Sequence, residues 1–114
     1  MTKPKVIVIM PAYNAARFLT ESIPSILNQV GVGISLFVID DASTDNTYDI
    51  AKGYSEVTVI RNKTNMGNYY SVNLVMHTIL NQGLDWEYCV YHGADDISDL
   101  NRFSKQLKLF TKPQ

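Results

Sequence analysis

Residues 36–47 read Leu-Phe-Val-Ile-Asp-Asp-Ala-Ser-Thr-Asp-Asn-Thr. The apolar run Leu36–Ile39 has no polar alternation, so both of its faces are expected to be covered, as in the strands of a buried parallel sheet. Two acids follow at once, and then residues suited to starting a helix. That helix is predicted to begin near Ser43 or Thr44, where a hydroxyl can accept from first-turn amides, with Asp45 favouring the positive end of the dipole.

Working outward, Val6–Met10, Val57–Ile60 and Tyr88–Tyr91 are further apolar runs. Val57–Ile60 is broken by Thr58 and is expected nearer a sheet edge, whereas the others should be covered on both faces. Between the runs the period changes to that of a helix. Leu19, Ile23, Ile26, Leu27 and Val30 share one face, with Asn14 a candidate N-cap. Pro24 interrupts that pattern at a cost of ~3 kcal/mol, so a kink or a late start is expected there. Val72, Val75, Met76, Ile79 and Leu80 form a second stripe ended by Gly83, and Leu100, Phe103, Leu107 and Phe110 a further one. Alternating β and α patterns predict an α/β fold, Rossmann-like, with a mainly parallel sheet flanked by helices.

The composition fits one domain spanning residues 1–114: apolar residues make up 46% and charged ones 18%. Disorder is expected only at Met1–Pro4 and Lys112–Gln114. A net charge of −1 without a Lys/Arg cluster argues against a nucleic acid polymer as partner. Cys89 stands alone, which excludes an internal disulfide and suits a reducing compartment. The longest apolar stretch, Val6–Ala12, falls well short of the ~20 residues of a membrane span, and the N-terminus lacks a signal-peptide layout. A soluble, cytoplasmic domain with no membrane span is expected.

Each conspicuous polar cluster follows a strand, at the carboxyl edge where open α/β sheets bind ligands. Pro11-Ala12-Tyr13-Asn14 follows the first, Asp40-Asp41 with Ser43 and Thr44 the second, and Gly93-Ala94-Asp95-Asp96 the fourth. Any one of these alone reads equally well as turn and capping residues. Asp40 and Asp41 should point to opposite faces, so that one of them lines a cleft and can accept from a nucleobase imide or ribose hydroxyls, unless it caps the next helix. Gly93 lets a ligand approach the backbone. Behind it, the mutual repulsion of Asp95 and Asp96 is relieved by a divalent cation bridging to a diphosphate, Mn²⁺ or Mg²⁺ being the hard cations suited to oxygen ligands. The alternative is that one of them begins the Leu100 helix. His92, a lone histidine, is read as ending the strand and filling space. Asn65-Met66-Gly67-Asn68 precedes the third helix, where free amides can face a phosphate or sugar hydroxyl, or Gly67 can simply turn the chain.

In order, these residues resemble the N-terminal half of family 2 glycosyltransferases. The strand ending Pro11-Ala12-Tyr13-Asn14 is similar to the family's P-x-Y-N, and Ser25-Ile26-Leu27-Asn28-Gln29 to its S-[IL]-[IL]-x-Q. Val38-Ile39-Asp40-Asp41-Ala42-Ser43-Thr44-Asp45-Asn46-Thr47 is close to V-[VI]-D-D-x-S-x-D-x-T. Arg61-Asn62-Lys63-Thr64-Asn65-Met66-Gly67 is similar to R-N-x-x-N-x-G, and Gly93-Ala94-Asp95-Asp96 to the D-A-D-D form of the DxD metal motif. Together these cover residues 6–110.

The resemblance implies a truncated GT-A fold and a hexosyltransferase-type, inverting, metal-dependent enzyme using Mn²⁺ or Mg²⁺. The donor would be a nucleotide-diphosphate sugar, UDP-sugar favoured, and the acceptor a saccharide or lipid-linked glycan. Pro11, Ala12 and Tyr13, with Asn14, would line the nucleotide pocket, and Asp41 would accept from the base. Asn65 and Gly67 would belong to the donor site, while Asp95 and Asp96 would hold the ribose–diphosphate and the metal, Asp96 as direct ligand. The general base is expected beyond Gln114, so the isolated chain should be inactive. Two departures stand out: Ser71-Val72-Asn73 replaces a small residue, Arg and Asn at the start of the third helix, and Gly93 replaces the first Asp of the metal motif. A dinucleotide oxidoreductase lacks support because no glycines follow the first strand. A phosphorylated receiver domain fails because the acid pair follows the second strand. A non-catalytic sugar-nucleotide-binding module remains the alternative.

Overall fold

The computed structural model describes residues 3–83 and 86–111, without the side chains of residues 68, 69, 80 and 108–111. Its elements are β1 (Lys5–Ala12), α1 (Ala16–Leu27), β2 (Gly33–Asp40), α2 (Thr47–Lys52), β3 (Val57–Arg61), α3 (Asn68–Gln82), β4 (Tyr88–Tyr91) and α4 (Arg102–Thr111). All four strands pair in parallel, in the order β3-β2-β1-β4. Parallel neighbours need crossovers, and the helical stretches between the strands supply them.

Two apolar layers cover the sheet. Val6, Val8 and Met10 of β1 and Leu36 and Val38 of β2 meet Leu19, Ile23 and Ile26 of α1, Ala51 of α2, and Phe103 and Leu107 of α4. The alternate residues Ile7, Ile9, Phe37 and Ile39 meet Val75 and Ile79 of α3. Burial of β1 and β2 on both faces is therefore as the unbroken apolar runs require.

β4 departs from that expectation. Cys89 and Tyr91, in register with Ile7 and Ile9, are exposed, while Tyr88 and Val90 are half-buried on the other side. The reason is position. Among the described residues β4 is an edge strand paired only with β1, and α3 lies over β1 and β2 instead. β3 occupies the opposite edge, as Thr58 predicts.

The helix boundaries move for identifiable reasons. α1 starts at Ala16, so Pro24 forces no late start and sits in the last turn. Val30 and Leu100, expected on helical stripes, lie outside the helices and are 54% and 47% exposed, with the Val30 N–H donating to the Leu100 carbonyl. Gly83 ends α3 in the left-handed region at φ 63°, as a stop signal should. The expected stripe members Leu80 and Phe110, and the chain ends 1–2 and 112–114, lie outside what is described. No helix among the described residues is long and apolar enough to cross a membrane.

Candidate functional site

The strand order fixes where a ligand can sit. The chain steps from β1 to β2 to β3 in one direction, then returns to place β4 on the far side of β1. The loops after β1 and β4 flank this reversal, which is where open α/β sheets bind ligands. A cleft of about 290 Å³ lies there, lined by Pro11, Tyr13, Asn14, Ala15 and Phe18 after β1 and by Tyr91, Gly93, Ala94 and Asp95 after β4.

Asp95 and Asp96 do not begin α4, which starts at Arg102. They sit on a turn closed by the Asp96 N–H donating to the Gly93 carbonyl at 3.2 Å. Both fold back over Gly93: a Cβ there would lie 2.8 Å from Asp96 Oδ2 and 3.1 Å from Asp95 Oδ1. The missing side chain thus makes room for two converging carboxylates, both exposed. No cluster of three or more His, Cys, Asp and Glu suited to a metal stands among the described residues. Two convergent carboxylate oxygens still fit Mg²⁺ or Mn²⁺ bound chiefly through ligand phosphates, which needs only one or two protein carboxylates.

The β1 and β2 loops are stitched together. Asn14 is not the N-cap of α1; it adopts φ 48°, its N–H donates to Ser43 Oγ at 2.9 Å, and its Oδ1 accepts from the Thr44 N–H at 2.9 Å. The orphan amides of α1 are met from across the fold, Ala15 N–H by Thr47 Oγ1 at 2.9 Å and Ala16 N–H by Asp45 Oδ2 at 3.2 Å. Ser43 and Thr44 are consumed by this lock, so α2 begins at Thr47 and not at Ser43 or Thr44. Asp45 also takes the Thr47 hydroxyl and N–H. Those bonds, the hydroxyl first, hold its carboxyl below the ordinary value. Ala42 sits at φ 62° beside the lock, a non-glycine residue in the left-handed region.

Asp40 and Asp41 part company, as alternation along a strand requires. Asp40, 0% exposed, accepts from the Ser43 N–H at 3.1 Å and lies 3.3 Å from Arg61 Nε. Arg61 also stacks on the Tyr48 ring. Asp41, 3% exposed, turns to the loop before α3. Its Oδ1 accepts from Asn62 Nδ2 at 3.1 Å and the Met66 N–H at 2.7 Å, and its Oδ2 from the Gly67 N–H at 2.9 Å. Burial raises its pKa, but the Met66, Asn62 and Gly67 bonds together outweigh that and hold it below 3.8.

The structure brings Pro11, Tyr13, Asn14 and Asp95 together in one cleft. Ala12, 2% exposed, packs in the core beneath them. Gly67 is tied to Asp41, and Asn65 lies exposed in the same loop. A second hollow, of about 390 Å³, lies at the ends of β2 and β3 and is lined by Ala42, Ser43, Arg61, Asn62 and Lys63.

His92 is 1% exposed and fills space at the end of β4, as expected, yet both of its ring nitrogens are engaged, Nδ1 with the Gly93 carbonyl at 2.8 Å and Nε2 with Ser98 Oγ at 2.7 Å. Burial pushes its pKa below 6.5; the Gly93 carbonyl and the acids Asp96 and Asp95 pull it upward, and Arg102 pushes it down. Ser98, Ser25 and Gln29, absent from the residues expected at the site, join the segment after the acids to the end of α1. The available signal was polar residues, Ser22, Ser25 and Gln29, interleaved with the apolar face of a helix.

Comparison with known proteins places this geometry. The fold matches that of TarS from S. aureus, solved in complex with UDP-GlcNAc, at a TM-score of 0.78 and 24% identity, over 93% of this chain and 31% of TarS. It also matches the mannosyltransferase PcManGT from Pyrobaculum calidifontis, solved with GDP-Man and Mn²⁺, at a TM-score of 0.81 and 23% identity, over 99% of this chain and 34% of that one. EpsE of Bacillus subtilis, named as a glycosyltransferase, is 40% identical across 96% of this chain, and the match spans 39% of EpsE. With residues 7–114 also matched by the model described as glycosyl transferase family 2, a parallel sheet carrying its polar loops on one edge and its acid pair after β4 belongs to that family.

Proposed function

We propose that this chain is the donor-binding domain of an inverting, hexosyltransferase-type enzyme. A nucleotide-diphosphate sugar, UDP-sugar favoured, lies across the carboxyl ends of β1 and β4, and Asp95 and Asp96 hold Mn²⁺ or Mg²⁺, Asp96 as direct ligand. The observation that carries this is the convergence of the two carboxylates over Gly93 at the rim of the cleft formed by Pro11, Tyr13 and Asn14. Solved relatives of the same fold hold UDP-GlcNAc, or GDP-Man with Mn²⁺, which supports the reading.

In this proposal the nucleotide rests on Pro11–Asn14, and Asp41 accepts from the base. Three own-chain donors fill three of the roughly four acceptor positions of that carboxylate, which leaves one on Oδ2. Asn65 and Gly67 belong to the wall held by Asp41. A divalent ion bound at the acid pair neutralises charge on the departing diphosphate. The proton of the acceptor hydroxyl, on a saccharide or lipid-linked glycan, is taken by an acid beyond Gln114.

The test is a titration of the chain with UDP-, GDP- and dTDP-sugars, with and without Mn²⁺, followed by NMR or thermal shift. Weak, Mn²⁺-dependent binding that disappears in Asp96→Ala is expected, without transfer to an added acceptor. Binding that survives Asp96→Ala unchanged would overturn the metal assignment, and steady turnover would overturn the placement of the base.

A further inference from the structure

The turn that carries the acid pair hangs on one atom, the Gly93 carbonyl oxygen. It accepts the Asp96 N–H at 3.2 Å and lies 2.8 Å from His92 Nδ1. A carbonyl only accepts, so Nδ1 carries the proton. In a neutral ring Nε2 is then an acceptor, and Ser98 Oγ, 2.7 Å away, donates to it. The Ser98 oxygen in turn accepts from Arg102 Nη1 at 2.9 Å. Every group has one consistent role, and the chain of donors runs in one direction, from α4 to the acid turn.

The far end of this chain is anchored. The Ser98 N–H donates to Ser25 Oγ at 3.1 Å, Gln29 Nε2 to the Asp99 carbonyl at 2.6 Å, and the Phe103 N–H to Gln29 Oε1 at 3.0 Å. These bonds join the segment after the acids to Ser25 in the last turn of α1 and to Gln29 just beyond it, some seventy residues earlier. His92 and Ser98 are 1% and 6% exposed, so water does not replace their partners.

We infer that His92 and Ser98 are positioning residues for the acid pair: the hydrogen bonds from Arg102 through Ser98 and His92 fix the Gly93 carbonyl, and with it the turn that presents the Asp95 and Asp96 carboxylates to a divalent cation. The inference rests on the metal-binding reading of those acids. Groups that orient metal ligands typically change affinity 10–100-fold when replaced.

The experiment measures Mn²⁺ affinity of the full chain from the electron paramagnetic resonance signal of free Mn²⁺, alongside thermal melting of each variant. His92→Asn keeps a donor near the position of Nδ1, and His92→Gln keeps reach toward Ser98 but gives up the Gly93 carbonyl. His92→Gln is expected to weaken Mn²⁺ binding about 10-fold, while His92→Asn stays within about threefold of the parent. Equal affinities in both variants, whether parental or equally weakened, would overturn the inference. Should either fail to fold, Ser98→Ala against Ser98→Thr gives the same comparison, with the hydroxyl-bearing variant expected to retain affinity and equal effects counting against the inference. Asp96→Ala separates the two levels: if it leaves Mn²⁺ binding intact, the metal reading fails and takes this inference with it; if it abolishes binding while the His92 pair is indistinguishable, only the positioning role fails.

Discussion

Asp41 takes three hydrogen bonds from the loop leading into α3, and that count decides what the residue does for stability as well as for a ligand. Hydrogen bonds to a charged acceptor are worth about 1.5–3 kcal/mol each when a partner is removed. Asp41→Asn would keep the shape but turn an amide N–H₂ toward groups that are themselves donors, so a loss of about 2 kcal/mol in urea unfolding at neutral pH is expected. The pH dependence has a definite sign. The folded carboxyl titrates below its ordinary 3.8, so its contribution is fully present above that value and fades as pH falls through the lower folded value. The stability difference between parent and Asp41→Asn should therefore shrink below about pH 4, and a gap that widened on acidification would refute the assignment. Asp40 shows the other outcome for an acid at a strand end: a Ser43 amide and the Arg61 guanidinium occupy it inside the fold.

At the scale of elements, the start of α2 caps α1. Thr47 is 0% exposed, and its hydroxyl receives the Ala15 N–H at the mouth of α1. Thr47→Val preserves volume and removes that acceptor, so it should cost about 1 kcal/mol, within the range of a lost helix cap. An unchanged denaturation midpoint would show that the amide finds another partner. This lock also marks what the sequence could and could not disclose. The strands were legible because Val6–Met10 and Leu36–Ile39 are apolar on both faces, and α3 because Gly83 stops it in a conformation glycine favours. The start of α2 was not. Ser43 and Thr44 have the chemistry of local caps, but they spend it on Asn14, across thirty residues, and no local rule anticipates a long-range partner. At the site, the acid pair and the Pro11–Asn14 loop were visible from residue type and place. The support of the acids by Ser25, Gln29 and Ser98 was hidden in serines and a glutamine that read as ordinary helix and loop residues.

For the whole molecule, the order β3-β2-β1-β4 has two consequences: it opens the cleft beside β1, and it leaves β4 at an edge. Ile7 and Ile9 are sealed under α3, while their register partners Cys89 and Tyr91 on the same face of the sheet stay exposed. This chain spans about two-fifths of the length of EpsE, and what covers that face in a longer protein is separate from what the 114 residues themselves do. Cys89 reports on it directly. Only the thiolate reacts with a disulfide reagent, and partial burial raises this thiol above its ordinary 9.0. Native chain should therefore be labelled by dithiobis(nitrobenzoate) without denaturant, because the group is exposed, yet more slowly than the unfolded chain at the same pH, because less of it is ionised. The native rate should reach half its maximum at a higher pH than the rate for the unfolded chain, whose midpoint lies near 9.0. Full protection of Cys89 until the chain unfolds would mean that the β4 face is covered in solution, and the sheet edge described here would then be an interface.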